Sequence, residues 1–271
     1  MKDEACVQFL QWALPQMQLR WQGFRKVRKQ VCKRVGRRIA ELGLADETAY
    51  RDYLQSHTVE WQTLSTLCRV TISRFYRDRA VFDLLSETLI PQLCDGLRQQ
   101  SEKTLHSWSA GCARGEEAYS LVLLWKFILQ ERYPEMTISL TATDIDPEMI
   151  RQGQKACYAY SSLKNLSPEW RQTAFEHIED QYCLRQIYRS PVAFRLGDVE
   201  NVAFAQHYHL VCCRNLVFTY FNLEKQALFL SKLRQLMTAG GVLVLGAHET
   251  LPEGMDGWRH WHQRLPIYLR E

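Results

Sequence analysis

Leu105-His-Ser-Trp-Ser-Ala-Gly-Cys-Ala-Arg-Gly-Glu-Glu-Ala-Tyr-Ser120 is the stretch whose reading decides the fold. A short strand-like run passes into a turn of small residues, Ala110-Gly111-Cys112-Ala113-Arg114-Gly115. Two carboxylates and an apolar helical run, Tyr119 to Leu129, follow at once. Small residues in such a turn let backbone approach a ligand closely, and the first turn of the helix offers N–H donors with no intrahelical acceptor. A second apolar run closes on Asp144 in Thr-Ala-Thr-Asp-Ile-Asp. Strand, glycine turn, helix and a second strand ending in an acid make the first βαβ unit of a nucleoside-binding sheet, where the acid accepts from two ribose hydroxyls.

The turn is not the dinucleotide fingerprint. Gly111 and Gly115 are separated by three residues, so G-x-G-x-x-G is absent, and so is G-x-x-x-x-G-K-[ST]. A looser glycine turn suits S-adenosylmethionine, which has no pyrophosphate to cradle. Spacing alone leaves a second reading open: an ordinary βα turn, with Asp144 capping the helix that begins near Pro147.

From Leu105 onward the pattern alternates, as in an α/β doubly wound sheet. The expected strands are His106–Ser109, Ile138–Thr143, Val192–Leu196, His209–Cys213 and Val242–Ala247, with Pro266–Arg270 closing the sheet. A polar, aromatic insertion lies between Tyr158 and Ser190. Residues 1–70 read as a small all-α domain. Phe24, Val27, Val31, Val35 and Ile39 recur at helical spacing, Gly43 is expected to stop that helix, and Asp46 to cap the next. Glu60 to Leu67 forms a further helical segment, and a single helix is expected from about Ala80 to Gln99. The expected boundaries are thus 1–70 for the helical domain and 71–271 for the α/β domain, with the insertion near 158–190.

No apolar run reaches the roughly 18 residues of a membrane span, and the N-terminus lacks a secretory pattern. Nine cysteines show no regular framework, which together with the missing export signal points to reduced thiols and the cytoplasm. No C-x-x-C or H-x-x-x-H spacing suggests zinc. Charge is concentrated: Arg20, Arg25, Lys26, Arg28, Lys29, Lys33, Arg34, Arg37 and Arg38 lie in a segment without an acid, and removing those nine from a net +4 leaves −5 on the remainder. That segment reads as a solvated helix face, as a docking surface for an acidic helical protein, or as a nucleic-acid patch. Trp21 and Phe24 are too few aromatics to favour the last.

Trp108–Ser120 and Ala142–Asp146 resemble the signature blocks of the CheR family, the chemotaxis-receptor glutamate methyltransferases. Four more blocks follow the family's order. Ser73-Arg-Phe-Tyr-Arg-Asp78 is similar to its T-x-F-F-R-[DE] segment, and Tyr158 through Pro168 to its G-x-Y…L…L-S-P stretch. Cys213-Arg-Asn215 is similar to its F-C-R-N strand end, and Gly240–Glu249 to its G-G-x-L-x-x-G-x-x-E strand. The resemblance runs from about Phe24 to Arg270. It implies the fold of a class I S-adenosylmethionine-dependent methyltransferase, Rossmann-like, with an antiparallel last strand and a small β-subdomain in the insertion.

The resemblance also implies roles. Asp144 would hold the ribose, and Glu117 would contact the cofactor while Glu116 serves the helix start. Arg77 would lie near the cofactor's methionine end and the acceptor, where an ever-charged guanidinium can hold a carboxylate. Thr71 and Ser73 offer hydroxyls to the cofactor, and Asp198 with Val199 falls where the family places Asn-Leu against adenine. Arg214 and Asn215 match the strand-end pair in type. Tyr220 departs from the pattern: Leu216-Val-Phe-Thr precedes Tyr220-Phe221, one residue more than the family has before its tyrosine, so either Thr219 or Tyr220 takes that place beside the transferred methyl. His248 stands where the family typically has serine.

The implied chemistry is in-line attack on the sulfonium methyl, leaving S-adenosyl-L-homocysteine. A carboxylate acceptor is already ionised at neutral pH, so the enzyme's task is positioning and exclusion of water. Three functions compete: a protein-glutamate O-methyltransferase acting on an acidic helical region of a chemoreceptor-like protein, a CheR-fold methyltransferase with a small-molecule or different protein acceptor, and a cofactor-bound interaction module without activity. The first is the expectation, as a cytoplasmic monomer that inserts in no membrane and binds no nucleic acid.

Overall fold

The structure, a computed structural model, describes residues 3–202, 204 and 206–271. Contacts divide the chain into two compact units, Met1–Thr71 with Leu216–Gln226, and Ile72–Asn215 with Ala227–Glu271.

The first unit holds α1 (Asp3–Gln16), α2 (Trp21–Phe24), α3 (Arg28–Glu41), α4 (Glu47–Ser56) and α5 (Glu60–Leu67). Val31, Val35 and Ile39 are the buried stripe of α3, as the spacing predicts, and the helix ends before Gly43. Asp46 Oδ1 accepts from the Ala49 N–H at 2.9 Å and caps α4. Glu60 is buried at the start of α5, where Arg38 donates to both its oxygens (2.9 Å each) and the Tyr50 hydroxyl to one (2.9 Å). The Arg38 fork holds the Glu60 carboxyl below the usual carboxylate range, so one acid ties α3, α4 and α5 together.

The basic segment is therefore not simply a solvated face. Arg20 donates to the Phe218 and Thr219 carbonyls, Arg28 to Asp3, and Arg34 to the Leu67 and Arg69 carbonyls, while Arg37 and Arg38 lie against Glu41. Long basic side chains that bond backbone carbonyls act as clamps, and nothing in a charge count separates these from solvated ones.

The expectation of reduced thiols fails at four positions. Cys6 and Cys32 form a disulfide between α1 and α3, and Cys157 pairs with Cys183 across the small sheet. The sequence hid both because the partners meet only through helix packing and strand register. Cys68, Cys94, Cys112, Cys212 and Cys213 are buried outside these bonds.

The second unit is built on a seven-stranded sheet. Its strands are β1 (Thr104–Ala110), β2 (Thr137–Asp144), β6 (Val192–Leu196), β7 (Tyr208–Cys213), β8 (Met237–Leu245), β9 (Trp258–His260) and β10 (Ile267–Arg270), in the order β6-β2-β1-β7-β8-β10-β9. The first five pair in parallel, and β10 runs antiparallel between β8 and β9. This is the class I methyltransferase arrangement, antiparallel closing strand included. A separate three-stranded sheet, β3 (Cys157–Tyr158), β5 (Gln181–Leu184) and β4 (Phe175–Ile178), occupies the insertion.

Every residue of β7, Tyr-His-Leu-Val-Cys-Cys, is buried, as a central parallel strand covered on both faces requires. The segment expected as one helix from Ala80 to Gln99 is α6 (Arg79–Leu84) and α7 (Ile90–Gln99), joined by a wider turn at Leu85–Leu89 ahead of Pro91. Pro91 cannot donate to the helical ladder, which favours a break in its register there. α8 (Glu116–Leu124) follows β1, and α9 (Pro147–Lys155) follows β2. β8 starts at Met237 and ends at Leu245, two residues before the expected Ala247. The short strand β9, largely exposed, carries no alternation from which it could be read. Among the described residues no helix is long and apolar enough to cross a membrane.

His209, on β7, has its ring almost fully buried, and its Nδ1 accepts from the His106 N–H of β1 at 3.0 Å. Accepting at Nδ1 requires the neutral tautomer with its proton on Nε2. Burial lowers the imidazole pKa, the Glu102 carboxylate opposes it, and His106 and His207 add to the lowering. The native state thus binds fewer protons than the unfolded chain in the window below the ordinary value near 6.5, so stability falls as pH drops through that window. Chemical denaturation between pH 8 and 5 should show this decline, and His209→Asn, whose Oδ1 accepts from the same N–H without titrating, should flatten it.

Candidate functional site

In chain order the sheet grows outward from β1 to β2 to β6, then returns to the other side of β1 for β7 and β8. The reversal falls between β1 and β7. In open α/β sheets such a reversal leaves a crevice at the carboxyl ends of the strands, where ligands bind. The segments that leave those ends are 111–115, 145–146, 197–199 and 214–215, and they carry most of the expected site residues.

The turn after β1 holds three left-handed residues, Gly111 (φ 70°), Ala113 (φ 51°) and Gly115 (φ 85°). Gly115 has a second constraint, because a Cβ there would meet the Phe194 ring at 2.7 Å. Asp144 anchors this turn. Its Oδ2 accepts from the Ala113 N–H at 2.9 Å and its Oδ1 from the Asp146 N–H at 3.0 Å. The backbone joins in: Cys112 N–H donates to the Thr143 carbonyl (2.8 Å) and Gly197 N–H to the Asp144 carbonyl (3.0 Å). The cap of α9 is Asp146, which accepts from the Glu148 N–H, so the alternative in which Asp144 caps that helix does not hold.

Glu117 and Arg214 meet across the crevice. Ser109 Oγ donates to Glu117 Oε1 at 2.6 Å, and Arg214 Nη1 lies 3.3 Å from Glu117 Oε2. The Arg214 side chain is only 4% exposed. Its Nη2 donates to the Asp78 carboxylate and to the Arg77 carbonyl, while its Nε–H is buried without an acceptor among the described residues. Arg77 is about one-third exposed, with Nη1 donating to the Ile72 carbonyl (2.7 Å) and Nε 4.0 Å from Asp78. Asn215 is left-handed (φ 58°), and its N–H donates to Glu249 Oε2 at 2.8 Å. The Gly246 N–H donates to the same oxygen at 2.6 Å, and a Cβ on Gly246 would lie 2.5 Å from the Asn215 amide.

Asp198 Oδ1 accepts from the Glu200 N–H, and Val199 beside it is buried. Ser73 is half-buried and Thr71, in the first unit, is exposed. Tyr220 also belongs to the first unit, where it ends the helix Val217–Tyr220 with its ring 4.9 Å from that of Phe24. Thr219 contributes its carbonyl, which accepts from Arg20 Nε.

Glu116 does more than start a helix. It is fully buried, and Arg114 Nη2 donates to its Oε1 at 2.7 Å and to Ser162 Oγ at 3.2 Å. The Tyr158 hydroxyl donates to the Arg114 carbonyl, so this pair binds the turn to the insertion. A dipole argument for an acid at a helix start could not reveal burial. Sequence reasoning gave no functional role to Ser109 or Glu249, and weighed Asp78 only as a salt-bridge partner of Arg77. The legible signals were the acid following Arg77 and the Gly-x-x-Glu spacing after β8.

The residues fit an adenosyl ligand. An acid ends β2 beside a turn with left-handed backbone, and a buried guanidinium N–H has no acceptor among the described residues. A family model described as the CheR methyltransferase SAM binding domain matches residues 71–264. The chain is 29% identical over 204 residues to the chemotaxis protein methyltransferase of Listeria monocytogenes, covering 75% of this chain and 74% of that one. It is 29% identical over 191 residues to the protein of the same name from Listeria innocua, with 70% of each chain covered. With that from Borreliella burgdorferi the identity is 23% over 215 residues, covering 77% and 75%. The chain belongs to the CheR methyltransferase family and is a CheR-type S-adenosylmethionine-dependent methyltransferase.

Proposed function

We propose that the chain methylates glutamate side chains on an acidic helical region of a chemoreceptor-like protein, working in the cytoplasm as a helical domain (1–70) ahead of a methyltransferase domain (71–271). The observation that carries this reading is the charge set at the crevice. Arg77 and Arg214 bring two cations beside Glu117 and Asp78. The nearby thiols of Cys112 and Cys212 are pushed well above their ordinary range by burial and hold their protons. Such a site orients an acceptor that arrives already ionised, and a carboxylate is that acceptor. The names of the Listeria and Borreliella relatives agree with it.

S-adenosylmethionine, when bound, supplies an electrophilic sulfonium methyl. In this reading Asp144 accepts from the ribose hydroxyls, since a carboxylate offers about four lone-pair sites and can anchor the turn as well. Asp198 and Val199 meet the adenine, and Thr71, Ser73, Glu117, Arg214 and Asn215 hold the remainder. Arg77 orients the acceptor carboxylate, and Tyr220 borders the reacting atoms. Arg25, Lys26, Lys29 and Lys33, on or near α3, would face the acidic partner. A second reading, transfer to a small acid or another protein, draws on the extra residue before Tyr220 and on the packing of its ring against Phe24.

The two readings part under a direct assay. Incubation with methyl-labelled S-adenosylmethionine and acidic helical peptides should give label released as methanol by base, and none with the matching glutamine peptides. Label on small dicarboxylic acids in preference to the peptides, or base-stable label, would contradict the glutamate assignment.

A further inference from the structure

Asp78 sits where the N-cap of α6 would be, yet its side chain makes no hydrogen bond to that helix. Its backbone is left-handed (φ 62°), and only its carbonyl serves the helix, accepting from the Val81 N–H at 2.8 Å. The carboxylate is turned away instead. One oxygen, Oδ2, takes Arg214 Nη2 and lies 4.0 Å from Arg77 Nε. Two guanidiniums, each adjacent to the reacting end of the crevice in the reading above, therefore share one acid.

The pairing has a physical purpose. Arg214 is nearly sealed from water, its guanidinium 5.6 Å from the centre of the Phe82 ring. A cation so desolvated stays put only where acids surround it, and Glu117 reaches it from the opposite side at 3.3 Å. Arg77 and Arg214 would repel each other without a carboxylate between them. The chain thus runs Arg77, Asp78, Arg214, Glu117, Ser109, alternating in charge until it ends in a neutral hydroxyl.

We propose that Asp78 is a positioning residue for methyl transfer: it fixes Arg214 for the cofactor and orients Arg77 for the acceptor while touching neither ligand. This rests on the cofactor and acceptor reading given above. Asparagine is the informative replacement, because it is nearly isosteric and accepts left-handed backbone readily, so charge is removed while conformation is kept. Glutamate restores the charge with a longer reach.

The test measures calorimetric binding of S-adenosylhomocysteine, thermal melting, and kcat and KM for wild type, Asp78→Asn and Asp78→Glu. Loss of one hydrogen bond to a charged group predicts S-adenosylhomocysteine bound about tenfold or more weakly by Asp78→Asn. The kcat should fall with it, and Asp78→Glu should recover much of both. The binding arm needs no acceptor, so it judges Asp78 even if the methyl group goes to something other than glutamate. Asp78→Asn within about twofold of wild type in binding and kcat, too small a change for a lost charged hydrogen bond, would overturn the proposal. So would an Asp78→Asn that no longer folds while Asp78→Glu is no better, since Asp78 would then be part of the scaffold.

Discussion

The second unit depends on one carboxylate at the end of one strand. Asp144 receives the N–H of Ala113 from the turn after β1 and the N–H of Asp146 from the start of α9, while its own carbonyl receives Gly197 from the segment after β6. Three consecutive strand ends are gathered by the groups of this residue. Hydrogen bonds from backbone N–H to an ionised acceptor are among the stronger that proteins make. They compensate for left-handed backbone at Ala113, a conformation that costs a non-glycine residue on the order of 1 kcal/mol. Around that anchor the parallel strands need only their apolar runs to assemble.

The crevice beyond the anchor is close to neutral, although it is crowded with charge. Arg77 and Arg214 face Asp78 and Glu117, and Ser109 closes the series. Buried ions persist where each has a partner of opposite sign and hydrogen bonds to saturate it. A neutral but polar lining of this kind suits a ligand that carries a sulfonium, an ammonium and a carboxylate together, because none of the three meets an uncompensated field. The burial of Cys112 and Cys212 keeps their thiols protonated and so keeps competing nucleophiles out of the same space.

Much of this was legible because the informative signals are local. A parallel core strand is a continuous apolar run, and the β1 turn and Asp144 lie within one βαβ unit. Asp46 as the cap of α4 and Gly43 beyond the end of α3 are likewise matters of a few residues. What stayed hidden depends on distant partners. Glu116 reads as a helix-start acid until Arg114 and the insertion enclose it. The disulfides join residues 26 apart that only packing or register brings together. Half the basic segment is spent on carbonyls and acids elsewhere in its own unit, which a count of charges cannot show. Asp78 and Glu249 act on Arg214 and Asn215 from far along the chain.

The most direct measurement is calorimetric titration of S-adenosylmethionine and S-adenosylhomocysteine into wild type and Asp144→Ala, with circular dichroism to confirm that both are folded. Saturable binding by wild type, lost in a variant that keeps its secondary structure, is the result this account predicts. Binding that survives the substitution unchanged would contradict it, and so would a folded wild type that binds neither ligand.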